Sequence, residues 1–222
     1  GKLAAPRFNK QQSKAQAYTL QPAWDAVENA DYYEVEYDGQ LYSTIRDLNY
    51  LFDDLSPVTN YSFRVRAVNA DGASEWTDFQ LATVKDPLEW AVKGVKATTS
   101  VQNQGGQGTD KLFDRDLKTV WHTSWGNKQA TPFDMIVDLR SVNQLERFEY
   151  IPREDAGNGT ILSGSYSLST DRQTWSAPVA FNWEKDGKTK TVKFGDGAAA
   201  RYIKLNVENA VGNFGSGREM YV

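Results

Sequence analysis

The chain is predicted to be all-β and to fold as two antiparallel β-sandwiches in series, and three features of the sequence lead there. Runs of β-branched and aromatic residues alternate with polar ones at a period of two. Turn dipeptides stand between the runs: Asp38-Gly39, Asp186-Gly187 and Asp196-Gly197. The first part of the chain contains no 3.6-residue apolar period long enough for a helix. At 222 residues the chain exceeds one average domain of about 150 residues, which leaves room for one large domain or two small ones. The patterning favours two, over residues 1–86 and 88–222.

In the first segment, Tyr18–Trp24, Tyr32–Tyr37, Gln40–Ile45, Asn60–Asn69 and Phe79–Val84 read as strands. Asp38-Gly39 is a two-residue hairpin turn between two of them. In YSFRVRAV, Tyr61, Phe63, Val65 and Ala67 share one face, and Ser62, Arg64, Arg66 and Val68 the other. That is the alternation of a half-buried antiparallel strand. The junction at Thr83-Val84-Lys85-Asp86-Pro87 holds no Gly/Ser tract, so a stiff, nearly direct connection is expected.

In the second segment, Asp134–Leu139, Leu145–Pro152, Gly164–Thr170, Thr189–Phe194, Arg201–Val207 and Glu219–Val222 read as strands. Long loops are expected at 97–132 and 208–218, and loops on a rigid sandwich are where function concentrates. Composition narrows what those loops do. Residues 1–86 carry 8 Lys+Arg against 13 Asp+Glu, and residues 87–222 carry 17 against 16. Neither holds a basic patch of the size that phosphate backbones require, so nucleic acid is not an expected partner. No apolar run approaches the roughly 20 residues of a membrane-spanning helix, and membrane insertion is not expected. With no cysteine, disulfides and thiolate metal sites are excluded. The opening Gly1 and the stop at Val222, inside an apparent strand, are expected of a segment cut from a longer polypeptide.

Within the first long loop, Gln104-Gly-Gly-Gln-Gly108 lacks the Gly-Lys-Ser/Thr of a phosphate loop and is not expected to open a helix. Next, Asp114 and Asp116 stand two apart with Thr119 three residues on. Those are the hard oxygen donors calcium takes, although the spacing is not that of an EF-hand, and an acidic turn bonding its own backbone is the plainer reading. Trp121-His122-Thr123-Ser124-Trp125 follows. One His without Cys does not build a catalytic zinc site, and Ser124 has no nucleophile-elbow sequence around it. If the stretch is extended, Trp121, Thr123 and Trp125 share one side, with His122 and Ser124 on the other; core packing is the default for Trp121.

The companion stretch, Tyr150 to Ile161, contributes Arg153 and Asn158. Arg, Asn and neutral His together offer the mixture of donors and acceptors that vicinal sugar hydroxyls match, and Trp125 or Phe214 suits the C–H face of a pyranose. An Arg153 ion pair with Glu154 or Asp155 and a turn-forming Asn158-Gly159 is the competing reading. Catalysis by paired carboxylates needs two acids about 5–9.5 Å apart across a bond, and adjacent Glu154 and Asp155 are expected to diverge.

Two resemblances sharpen this reading. Trp24, LSPVTNY and RVRAVNADGASEW together resemble a fibronectin type III domain. That implies an immunoglobulin-like sandwich with a spacer role, Trp24 in its core and Tyr61 as a tyrosine corner bonded to nearby backbone. LFDRDLKTVWHTSW, PFDMIVDL, YIPREDAGNGTI, SYSLSTDRQTW, RYIKLNV and SGREMYV resemble, in order, a factor V/VIII type C (discoidin) domain. The closer resemblance is to the family 32 carbohydrate-binding modules of bacterial glycoside hydrolases.

The second resemblance implies a galactose-binding-like jelly roll with a shallow site at one end. His122, Arg153 and Asn158 would bond hydroxyls there, with Trp125 and Phe214 flanking the ring of a galactose- or N-acetylgalactosamine-type sugar. It also implies a structural calcium held by the side chains of Asp114, Thr119 and Glu219 and by carbonyls such as those of Lys111, Asp116 and Met220. The family has Gly where Arg115 and Arg172 stand, so the backbone of both turns is in question.

The resulting expectation is a monomeric, non-catalytic region of a secreted, periplasmic or cell-surface bacterial glycoside hydrolase, with a glycan and the catalytic domain of the same chain as partners. A discoidin-type adhesion module or a purely structural tail are the alternatives.

Overall fold

The computed structural model describes residues 2–222; Gly1 lies outside them. The chain divides into two compact units, Gly1–Glu89 and Trp90–Val222, and each has its own hydrophobic core.

The first unit contains β1 (Lys14–Ala15), β2 (Leu20–Gln21), β3 (Tyr32–Tyr37), β4 (Gln40–Ile45), β5 (Asn60–Asn69), β6 (Gly72–Ala73) and β7 (Thr77–Ala82). β5 pairs with β3, β6 and β7, and β3 pairs with β4. The β3–β4 hairpin turns on Asp38 (φ 50°) and Gly39 (φ 73°), two left-handed residues whose twist matches that of the flanking strands. On β5 the alternation holds: Phe63, Val65 and Ala67 are buried, while Arg64 and Arg66 turn out and bond Glu36 and Glu34 at 2.8 Å each. Trp24 is core, and the Tyr61 hydroxyl accepts the Ser56 N–H at 2.8 Å, the tyrosine corner the sequence implied.

Two strands differ from expectation. Tyr18–Trp24 is not continuous: β2 stops at Gln21, and only isolated bridges, Ala23 to Asn49 and Trp24 to Phe8, follow Pro22. Proline has no N–H to give a ladder, which accounts for the break. The strand expected over Phe79–Val84 runs over Thr77–Ala82 instead. Thr83 leaves the ladder because its hydroxyl is engaged locally, accepting from Thr59 N–H at 3.0 Å and donating to the Ser56 carbonyl.

The second unit contains β8 (Lys96–Thr99), β9 (Trp121–His122), β10 (Phe133–Gln144), β11 (Arg147–Ile151), β12 (Ile161–Ser169), β13 (Val179–Asn182), β14 (Lys190–Lys193), β15 (Ala199–Ala210), β16 (Ser216–Gly217) and β17 (Glu219–Tyr221). One sheet has the order β13-β12-β15-β10-β8, a second the order β14-β11-β17, and β9 and β16 form a separate ribbon. The inward rows Met135-Val137-Leu139 and Ile203-Leu205-Val207 join Phe148, Tyr150 and Met220 in one core. Each large apolar side chain so buried contributes about 1.5–3 kcal/mol.

The loop expected over 97–132 contains β8 at its start and β9 near its end, and β13 was not anticipated either. All three lie outside the reach of the alternation signal. β8 reads KATT with no buried residue, β9 is two residues long, and β13 is an edge strand with only Phe181 buried. β12 begins three residues ahead of Gly164, at Ile161. Its register slips at Gly164, where any Cβ would collide with the Asn206 carbonyl oxygen.

Candidate functional site

The site is set by the ribbon of β9 and β16, in which His122 lies opposite Ser216 and Trp121 opposite Gly217. Trp121 is fully buried and packs edge-on against Phe133, with its indole N–H donating to Asn103 Oδ1 at 2.9 Å. Thr123 extends the ribbon: its N–H donates to the Gly215 carbonyl at 2.8 Å, and its hydroxyl accepts the Gly215 N–H at 3.0 Å. The expected alternation fails after this point. Asn127 N–H closes a turn onto the Ser124 carbonyl at 3.1 Å, and Trp125 swings outward, 56% exposed, while Trp121 and Thr123 stay buried. The Trp125 N–H is fixed by Gln104 Oε1 at 2.9 Å.

His122, Trp125, Arg153, Asn158 and Phe214 all line one open cavity of about 810 Å³. The His122 ring is buried, 5.3 Å from the Phe214 ring and 6.4 Å from that of Trp125, nearly perpendicular to the latter. His122 Nδ1 lies 2.6 Å from the Thr123 carbonyl oxygen. A carbonyl only accepts, so Nδ1 carries the proton and Nε2 keeps its lone pair. Burial, with Arg153 nearby, holds the imidazolium form unfavourable and outweighs the Thr123 bond, so the ring stays neutral below its ordinary range.

Arg153 is held at 3.5 Å from Asp155 and at 3.4 Å from the Asn158 carbonyl, so the ion-pair reading and the cavity-lining reading both describe it. The Asn158 carbonyl also accepts from Ser216 Oγ at 2.8 Å, which leaves the exposed carboxamide with no hydrogen bond among the described residues. Gly212, at φ 66°, admits that carboxamide: a Cβ there would lie 2.5 Å from Asn158 Oδ1. The cavity therefore presents one neutral acceptor, a guanidinium fork and a carboxamide between two aromatic rings. This set matches a ring that carries adjacent hydroxyls on one edge and C–H groups on a face.

Beside it lies the acidic loop. Glu219 on β17 is fully buried, its Oε1 accepts the Asp116 N–H at 3.2 Å, and its Oε2 meets no donor among the described residues. The group that faces it is the carboxyl of Asp114, which accepts from Asp116 N–H at 3.0 Å and from Thr119 Oγ1 at 2.5 Å. Burial and the Asp114 charge push Glu219 up to about 8. Burial also acts to raise Asp114, but hydrogen bonds from Glu219, Thr119 and the Asp116 N–H outweigh it and hold Asp114 low. Two facing carboxyls whose affinities for a proton are pushed apart in this way favour one charge over two in the absence of a cation.

Asp116 turns its own carboxylate back to the Lys118 N–H at 2.8 Å and offers its carbonyl to Thr119 Oγ1 at 3.1 Å. Lys111 is the third residue of the four-residue 3₁₀ turn Thr109–Leu112, a short helix not anticipated after Gly108, and Met220 lies opposite Tyr150 in the sheet. Among the described residues no three His, Cys, Asp or Glu side chains converge as a metal site. A cation here would be held by two carboxylates and a hydroxyl, completed by carbonyls, and the donorless buried oxygen of Glu219 fits that need. Arg115 and Arg172 stand at φ 56° and 62°, so both turns keep the left-handed backbone that glycine favours.

Sequence reasoning missed Gln107, Lys118, Lys128 and Arg218, which also line the cavity. Gln107 is brought there because its carbonyl accepts the His122 N–H at 3.0 Å, a tertiary bond with no local sequence signal.

The F5/8 type C domain profile matches residues 94–220, and the fibronectin type III domain profile matches residues 4–79. Among proteins of known function, the A type blood N-acetyl-alpha-D-galactosamine deacetylase of Flavonifractor plautii is 27% identical over 77% of this chain and 22% of its own length. Galactose oxidase of Gibberella zeae is 31% identical over 49% of this chain and 16% of its own. The chain thus spans about a fifth or less of the length of these relatives.

Among solved structures, CpGH89CBM32-5 from Clostridium perfringens, in complex with GalNAc-beta-1,3-galactose, is 28% identical with a TM-score of 0.53, covering 57% of this chain and 93% of that one. The family 32 module of NanJ from the same organism, in complex with galactose, is 26% identical with a TM-score of 0.52, covering 58% and 92%. The second unit carries both the sequence profile and the fold of these modules, and the chain belongs to the F5/8 type C domain family, with a fibronectin type III domain preceding it.

Proposed function

We propose that the second unit is a non-catalytic carbohydrate-binding module for galactose- or N-acetylgalactosamine-type sugars. In this reading it belongs to a longer, secreted bacterial glycoside hydrolase, which it holds near its glycan while the first unit acts as a spacer. The observation that carries the reading is the convergence of five side chains from three separate stretches of the chain on one open cavity, with an unoccupied imidazole acceptor between two aromatic rings. The two clostridial modules similar to it are complexed with galactose or GalNAc-β-1,3-galactose, which supports the sugar class.

Each residue has a role in this reading. His122 Nε2 accepts a hydroxyl proton, the Arg153 fork donates to that hydroxyl and its neighbour, and the Asn158 carboxamide takes a third group. Trp125 and Phe214 cover the C–H face. Asp114, Thr119 and Glu219, with carbonyls of Lys111, Asp116 and Met220, would hold calcium. When bound, that ion supplies charge neutralisation for two carboxylates and fixes the turn that leads into His122. An open cavity buries little of a monosaccharide, so affinity is expected at about −4 to −6 kcal/mol, millimolar to tens of micromolar, for a monomeric protein.

Calorimetric titration of the protein with galactose, N-acetylgalactosamine and glucose tests the reading. Saturable binding of the first two that weakens at least tenfold in Trp125→Ala supports it. Absence of binding to any sugar, or equal binding by the variant, overturns it.

A further inference from the structure

The cavity wall is more basic than its surroundings. Lys118, Lys128, Arg153 and Arg218 line it against Glu154 and Asp155, whereas residues 87–222 as a whole carry 17 Lys+Arg against 16 Asp+Glu. The acids do not neutralise the cations evenly. Asp155 is taken by Arg153 at 3.5 Å and by the Gly157 N–H at 2.8 Å. Arg218 donates through Nε to the Pro152 carbonyl at 2.8 Å, a neutral acceptor that leaves its charge uncompensated. Neither Lys118 nor Lys128 makes an ion pair among the described residues, although Lys85, Lys111 and Lys190 all do.

The two lysines also arrive from different segments. Lys118 comes from the acidic loop ahead of β9, next to the exposed Leu117 of the same wall, and Lys128 from the turn that presents Trp125. A hydroxyl-only ligand gives these ammonium groups nothing they do not already get from water. An anionic substituent does.

The geometry points to a ligand class narrower than neutral galactosides: a sugar with an acidic substituent, a carboxylate or a sulfate ester, whose charge is met by Lys118 and Lys128 while its ring occupies the space between Trp125 and Phe214. The inference rests on the sugar-binding reading above and specifies the ligand of that same site. Because the lysines are exposed, their contribution is electrostatic and screened: one or two exposed ion pairs supply about three- to tenfold in affinity at low ionic strength and progressively less in salt.

The test is a calorimetric titration of the whole chain with galactose, galacturonate and galactose 6-sulfate, at low ionic strength and at 0.15 M, together with Lys118→Ala/Lys128→Ala. Either acidic sugar should bind about three- to tenfold more tightly than galactose at low ionic strength. That advantage should shrink with salt, and in the double variant the ratio of acidic to neutral affinity should fall to about one. Which acid benefits separates carboxylate from sulfate. Galactose binding with no preference for either acid, or a preference that survives the double substitution, overturns this inference and leaves the sugar-binding reading standing. Binding of none of the three overturns both.

Discussion

The two units use the same building rule and differ in what they do with polar groups. In the first, the charged side chains along the sheet are matched in place: Arg64 with Glu36, Arg66 with Glu34, both guanidinium groups lying 4.3 Å over Trp76. Its tyrosine corner has the partner such a corner needs. In the second, strands of equal regularity support loops that leave polar capacity unspent: a buried Glu219 oxygen without a donor, an imidazole with a free lone pair, a free carboxamide at Asn158. Unsatisfied groups cost stability in proportion to their burial. Among the described residues, buried polar atoms without a partner occur in both units, Trp24 Nε1 and Arg64 Nε in the first and Gln107 Oε1 and Glu219 Oε2 in the second; what sets the second apart is that one of them is a carboxylate oxygen on a side chain that faces another carboxyl, that of Asp114.

That contrast is tested first by calcium. Chelation should lower the unfolding midpoint of the second unit, and millimolar calcium should raise it by about 3–4 kcal/mol equivalent if the concentration reaches 100–1,000 times the dissociation constant. The first unit's transition should not move. Calorimetry that resolves the two transitions decides this; equal shifts in both, or none, would break the contrast.

Close in size is the pH response without calcium. Glu219 is raised from 4.5 to about 8 by folding, so between these values the native state binds more protons than the unfolded one. Stability of the second unit should therefore fall as pH rises from about 5 to 8, by roughly a few kcal/mol; Asp114, whose carboxyl is held low, is ionised in both states over that range and leaves the slope unchanged. Calcium should abolish or reverse the slope, since it binds the deprotonated carboxylates. Denaturant titrations across that range, with and without the ion, give the sign directly.

Smaller effects separate the units further. Tyr61→Phe removes the acceptor of the Ser56 N–H and should cost the first unit about 1 kcal/mol, with no change in calcium or sugar response. Arg115→Gly should stabilise the second unit by about 0.5 kcal/mol, because φ 56° strains any residue with a Cβ, offset in part by the freer unfolded chain. A loss in its place would show that Arg115 is held there by its side-chain interactions.

Much of this architecture was legible where the chemistry is local. The Asp38-Gly39 hairpin, the β3, β4 and β5 boundaries and the inward rows of β5, β10 and β15 follow from period-two alternation and turn residues alone. What could not be read depended on partners far away in the chain. β8 carries no buried residue and exists because β10 pairs with it. Trp125 leaves the alternating face because of the turn closed by Asn127; the break at Pro22, by contrast, had a local signal in the proline itself. The five positions proposed to face a sugar, all of which line the cavity, were named through family resemblance. The cations on the same wall were not, since nothing about Lys118, Lys128 or Arg218 distinguishes them until the loops close.

In the proposed site Arg153 and His122 act together on one sugar hydroxyl, the first donating and the second accepting. Galactose titration followed by nitrogen-detected NMR of the His122 ring, in the wild type and in Arg153→Ala, tests it most directly. A neutral Nδ1–H imidazole whose Nε2 resonance moves and saturates in the wild type, with binding lost in Arg153→Ala, is the predicted result. An Nε2 signal that ignores the sugar, or a variant that binds like the wild type, would contradict it.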